Sequence, residues 1–180
     1  MQIVFAANHN FIGWLIKFFT KISWVGECRV IHVIIRYGGK ESSWILEANE
    51  KGFLPNWWDY FKKKEKIFAQ YEVLGIDEVL LEKIVDEQVD KFVHDGYDFI
   101  GVLGLAWSVI WYEFTGKRIK NIFSKSNHFS CSEIIYRIFD EVKKQTGIDY
   151  FGDYDAESVF PEELLRECEK KPDLFKLAES

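Results

Sequence analysis

Cysteine is scarce in this 180-residue chain, and the little there is excludes several classes. The three residues, Cys28, Cys131 and Cys168, are odd in number, which argues against a disulfide framework. No Cys-x-x-Cys pair occurs, so nothing points to a structural zinc site. Histidine is nearly as sparse, with four residues. Cys28 and His32 stand four apart, but along an extended strand that spacing covers about 13 Å, too far to share a metal. His9, His94 and His128 have no ligand-like spacing, so neither a metal nor another cofactor is expected. A basic excess is also missing. Twenty-three Lys and Arg against 29 Asp and Glu leave a net charge of −6, which speaks against nucleic acid as the main partner. The longest uncharged run, residues 99–112, is too short to span a bilayer comfortably. Met1-Gln2-Ile3-Val4-Phe5 offers no basic leader and no small-residue cleavage site. The expectation is a reduced, cytoplasmic chain with no transmembrane segment. Internal repeats, low-complexity tracts and linkers are lacking too, so residues 1–180 are expected to form one domain.

What the chain does hold is aromatic. Aromatic residues make up 17% of it, seven of them Trp, which implies a crowded core or an apolar surface offered to a ligand or partner. Residues 2–6 alternate as a first strand. Phe11, Trp14, Leu15, Phe18, Phe19 and Ile22 recur at helical spacing, and packing on a sheet is favoured over lying on a membrane. Residues 29–37 are rich in β-branched side chains and predict a strand, followed by a turn at 38–41 and a second strand at 43–49. Gly52-Phe53-Leu54-Pro55 suggests an exposed connection, with Asn56 as the cap of a short helix through Phe61. A third core strand is expected at 67–74. A helix capped by Asp77 runs to Asp95-Gly96, a buried helix spans 99 to about 114, and Pro161 starts another. Between these last two, the basic loop 116–127 leads into Asn127-His128-Phe129-Ser130-Cys131-Ser132-Glu133.

That last stretch carries the chemistry. Ser130 and Glu133 have the spacing of a capping box, Ile134, Ile135, Ile138, Phe139 and Val142 continue at helical period, and Gly147 is a stop signal. Cys131 is then the first helical residue, where the positive end of the helix dipole favours thiolate over thiol. A cysteine nucleophile needs an imidazole to handle its proton and a polar group to orient that imidazole. His32 lies mid-strand among apolar residues. Glu47, between Leu46 and Ala48, is a carboxylate that is costly to bury without a partner. A four-residue hairpin connection sets His32 opposite Glu47, whereas a two-residue Gly-Gly loop sets it opposite Ile45. His128, three residues before Cys131, is a competing base or a lining residue.

The order His, Glu, then a late Cys opening a helix resembles the circularly permuted branch of the papain-like NlpC-type superfamily. The resemblance is carried by Ile31-His32-Val33-Ile34-Ile35, Ile45-Leu46-Glu47-Ala48, Tyr97-Asp98-Phe99-Ile100-Gly101, Phe129-Ser130-Cys131-Ser132-Glu133 and Val159-Phe160-Pro161-Glu162-Glu163-Leu164, with Ile3-Val4-Phe5 and Ile12-Gly13-Trp14-Leu15-Ile16 at the start. It implies an α+β fold, an antiparallel sheet packed against helices with the Cys helix after the His/Glu hairpin. It also implies a thiol hydrolase with Cys131 as nucleophile, His32 as base and Glu47 orienting it. Tyr97 and His128 are carried as candidate substrate contacts. Ile31 departs from the small polar residue usual before the histidine. Ser-Cys-Ser-Glu departs from the Asn-Cys-Glu of the lecithin retinol acyltransferase branch. The substrate expected is a small peptide or cell-wall-type amide. The aromatic helix at 11–22 and Trp57-Trp58 keep two alternatives open, a lipid ester or fatty-acyl amide and a peripheral membrane contact. A non-catalytic binding protein that kept the fold is a further alternative.

Overall fold

The computed structural model describes residues 1–7, 11–37, 44–49, 52–92, 96–97, 99–117, 119 and 128–178. His9, His94 and the expected turn at 38–41 lie outside them, as does most of the basic loop 116–127. Among the described residues the fold is α+β, with a six-stranded antiparallel sheet and six α-helices. In chain order these are β1 (Gln2–Ala7), α1 (Phe11–Ile22), β2 (His32–Arg36), β3 (Trp44–Asn49), β4 (Gly52–Trp57), α2 (Trp58–Lys64), β5 (Lys66–Val73), α3 (Glu78–Phe92), β6 (Gly96–Tyr97), α4 (Phe99–Thr115), β7 (His128–Phe129), α5 (Cys131–Thr146), α6 (Pro161–Lys170) and β8 (Phe175–Leu177). The large sheet runs β4-β3-β2-β1-β5-β8, and β6 pairs with β7 in a separate parallel pair.

Period-two alternation gives this sheet two apolar faces. On one, Ile3, Phe5, Val33, Ile35, Leu46 and Ala48 pack with Leu81, Ile84 and Val85 of α3 and with Ile134, Ile135, Ile138 and Phe139 of α5. On the other, Val4, Ala6, Ile34 and Ile45 are covered by Trp58 and Phe61 of α2. The core is therefore layered helix–sheet–helix, with the shorter α2 cover on the side that carries the even-numbered residues of β2.

Several expectations change. The stretch read as an exposed connection is β4, and Phe53 within it is buried. Pro55 disguised it. A proline that cannot donate is tolerated because β4 is an edge strand. Arg29–Ile31 lie outside β2: a carboxylate from α6 takes the Arg29 and Val30 N–H groups (below), and the Ile31 N–H donates to the Ala6 carbonyl at 3.0 Å. Helix α1 has α4 as its main partner rather than the sheet. Helix α4 is not buried all round: Ala106, Ser108 and Val109 are, while Trp107, Ile110, Trp111 and Phe114 are exposed. Its uniform hydrophobicity hid which side would be covered.

The hairpin register also differs from both loops considered. Ile35 faces Leu46, Arg36 faces Ile45, and the Tyr37 N–H donates to the Trp44 carbonyl at 3.1 Å. Continued back, this register places Glu47 across from Ile34, two residues along from His32. The two are diagonal neighbours, not directly opposed. A two-residue slip preserves the face, and diagonal pairs remain within reach of long side chains.

Candidate active site

Helix α5 begins where the sequence signal put it. The Ser130 side chain accepts the Glu133 N–H at 3.2 Å, and Gly147 closes the helix in the left-handed region at φ 77°. The reverse arm of the capping box is the weaker one. The Glu133 carboxylate faces the Ser130 amide, but its close bonds, 2.8 and 3.0 Å, go to Arg137 one turn on. Burial pushes the Glu133 carboxyl up to about 7 in spite of that partner.

Cys131, His32 and Glu47 converge. The His32 Nε2 lies 3.6 Å from Glu47 Oε1, both side chains mostly buried. With Nε2 turned to the acid, Nδ1 is the nitrogen left for the Cys131 sulfur, to which the ring is hydrogen-bonded. Burial alone would raise the Cys131 thiol pKa. The charge and hydrogen bond of His32, with the backbone N–H groups of Val33 and Ser132, outweigh it and bring the pKa below the ordinary thiol value. For His32, burial pulls downward while Cys131 and then Glu47 pull upward, and the net shift is up. Each partner thus favours the charged form of the other.

The Val33 amide reaches the sulfur because of how the sheet ends. Tyr37 donates toward β3, so by alternation Val33 points the same way, yet the described β2–β3 ladder stops at Ile35 and Leu46. The opening beyond it is where the tip of α5 meets the sheet. The other cysteines are in a different state. Burial raises the pKa of both Cys28 and Cys168, and the Cys28 thiol donates to the Val30 carbonyl.

Four supporting contacts were not foreseen. Asn56, expected as a helix cap, lies in β4, and its amide donates to the second carboxylate oxygen of Glu47 at 3.0 Å. The ring of Phe61 lies 6.0 Å from the His32 ring, centroid to centroid, and forms an apolar wall beside it. At the start of α6, the fully buried Glu162 accepts the Arg29 N–H at 2.7 Å and the Arg29 guanidinium at 2.8 Å, fixing the chain just ahead of His32. Ser132, beside Cys131, donates to the Val159 carbonyl at 2.7 Å. One short segment, 159–162, therefore ties down both halves of the site. The only sequence signal was a pair of acidic residues in an otherwise apolar Val-Phe-Pro-Glu-Glu-Leu run.

The other two candidates are placed by backbone only. Pairing of β6 with β7 sets Gly96 beside His128 and Tyr97 beside Phe129, so both candidates lie on the short ladder that leads into Cys131. Among the described residues, no three His, Cys, Asp or Glu side chains group closely enough to hold a metal ion. No protein-family model, curated protein or solved structure matches the chain.

Proposed function

We propose that the chain is a thiol hydrolase with a circularly permuted papain-like architecture, acting on a small peptide or cell-wall-type amide. The observation that carries this reading is the His32 ring lying between the Glu47 carboxylate and the Cys131 sulfur, at the start of a helix. In the first step the Cys131 thiolate forms a bond to the carbonyl carbon, and the developing oxyanion is met by the unpaired Cys131 N–H at the helix start. The C–N bond then breaks as the His32 imidazolium gives its proton to the leaving amine. His32, now neutral, takes a proton from water, and the resulting hydroxide attacks the thioester carbon. Release of the carboxylic acid restores the thiolate–imidazolium pair. Glu47 keeps the ring in the orientation both proton transfers need.

Selective alkylation tests the pair. Iodoacetamide at pH 6–7, with the adduct mapped by mass spectrometry, is expected to modify Cys131 and to lose its target in Cys131→Ala. Ordinary thiols titrate near pH 8.5, so Cys28 and Cys168 should stay unmodified in the same window. Equal modification of the three, or a Cys131 rate that climbs only through the ordinary thiol range, would rule out an activated thiolate. Hydrolysis of amino-acyl amides and of p-nitrophenyl esters, each lost in Cys131→Ala, then separates amide from acyl-ester substrates.

A further inference from the structure

Helices α1 and α4 pack against each other through a small apolar seam. Val25, Val109 and Phe160 form it, with Phe19, Ile22 and Trp24 against them and Trp24 edge-on to Tyr112 at 5.5 Å. Away from that seam each helix shows an apolar stripe. On α4, Trp107, Ile110, Trp111 and Phe114 recur at i, i+3, i+4 and i+7, and Phe114 is 86% exposed. On α1, Trp14 and Phe18 stand one turn apart, 57% and 46% exposed, with their rings stacked at 5.8 Å. Lys17 and Lys21 share the same exposed arc of α1, which at the helical period is about 100° wide.

Charge decides what covers these stripes. The chain carries −6 overall, yet α1 has two lysines and no acidic residue. Lys117, exposed just past the end of α4, adds a third cation, and the exposed Glu113 is the one charged residue on α4 itself. An apolar protein groove has no need of such local cations. An anionic bilayer does: Trp and Phe settle at the headgroup boundary while lysine stems lie along the apolar surface and send their ammonium groups to the phosphates. We infer that α1 and α4 dock the protein peripherally on a negatively charged membrane surface. The docking stands apart from the chemistry at Cys131, since none of these residues belongs to the site.

Co-sedimentation of the full chain with large vesicles of phosphatidylcholine, alone or doped with phosphatidylglycerol, tests it. Binding is expected to the doped vesicles, at least about 10-fold stronger than to neutral ones and weakened by salt. Lys17→Glu with Lys21→Glu should lower the partition coefficient about 10-fold or more. Phe114→Ser should lower it about 10-fold, and an 86% exposed side chain contributes little to folding. Cys131→Ala should bind as the parent does, so loss of catalysis and loss of docking are separable. Failure to bind doped vesicles, or binding indifferent to these substitutions, overturns the inference. So does a concentration-dependent dimer in sedimentation velocity that Phe114→Ser dissolves, because the stripes would then meet a second copy.

Discussion

At the residue scale, the site depends on who holds the acid that holds the imidazole. Asn56 and His32 take the two oxygens of Glu47, so the carboxylate has little freedom to turn away. Glu47→Gln is expected to lower kcat/KM about 100-fold, and Asn56→Ala about 10-fold with Cys131 still alkylated, as steady-state kinetics with the substrates above would read. Glu133 gives a separate, pH-dependent outcome. Its carboxyl is raised in the fold from about 4.5 to about 7, so the native state binds this proton more tightly than the unfolded chain. That contribution is complete below about pH 4.5 and is lost as pH rises through 7. Urea midpoints between pH 5 and 8 should fall by the equivalent of up to about 3 kcal/mol from this group, and Glu133→Gln should flatten the trend. Cys131 and its cap were legible in the sequence because capping is local chemistry. Asn56 was not, because its partner lies nine positions earlier and only a strand pairing brings them together.

At the element scale, α6 works as a clamp. Glu162 is fully buried, and its oxygens are met by the Arg29 backbone and guanidinium, with Arg166 at 3.6 Å. Arg29 keeps its pair with Glu169, but its backbone N–H loses its acceptor, so Glu162→Ala is expected to cost about 1–3 kcal/mol in chemical denaturation. Under conditions where the variant remains folded, kcat should fall while KM holds, because the segment ahead of His32 loses its anchor. Strand and helix types were mostly readable here: β1, the β2–β3 hairpin, α3 with Asp77 bonding the Leu80 N–H, and α5 follow their periodicities. What escaped were elements whose existence depends on a neighbour. β4 is visible only once β3 is there to pair with, the two-residue β6 and β7 exist only for each other, and the exposed side of α4 is set by where α1 packs.

At the scale of the whole molecule, the edge of the sheet opposite β4 is formed by β8. β8 pairs with β5 through Val73 and Phe175, and the Phe175 ring packs against Tyr150 and Phe151 in the main core. Phe175→Ala should therefore cost about 3–5 kcal/mol by chemical denaturation, although it sits in a three-residue edge strand, three strands over from β2. The long-range arrangement was the least legible part of the sequence. Composition and periodicity describe each segment, but nothing local encodes that a hairpin near the start meets a helix tip near residue 131.

That separation has a consequence for how the protein is made. Chains leave the ribosome amino end first and form structure as they emerge. The strands bearing the imidazole and its acid are out while the sulfur is still unsynthesised, and residues 159–162, which tie the two together, come later still. The nascent chain thus presents His32 and Glu47 before Cys131 exists, and the three groups are held together only after residues 159–162 have followed.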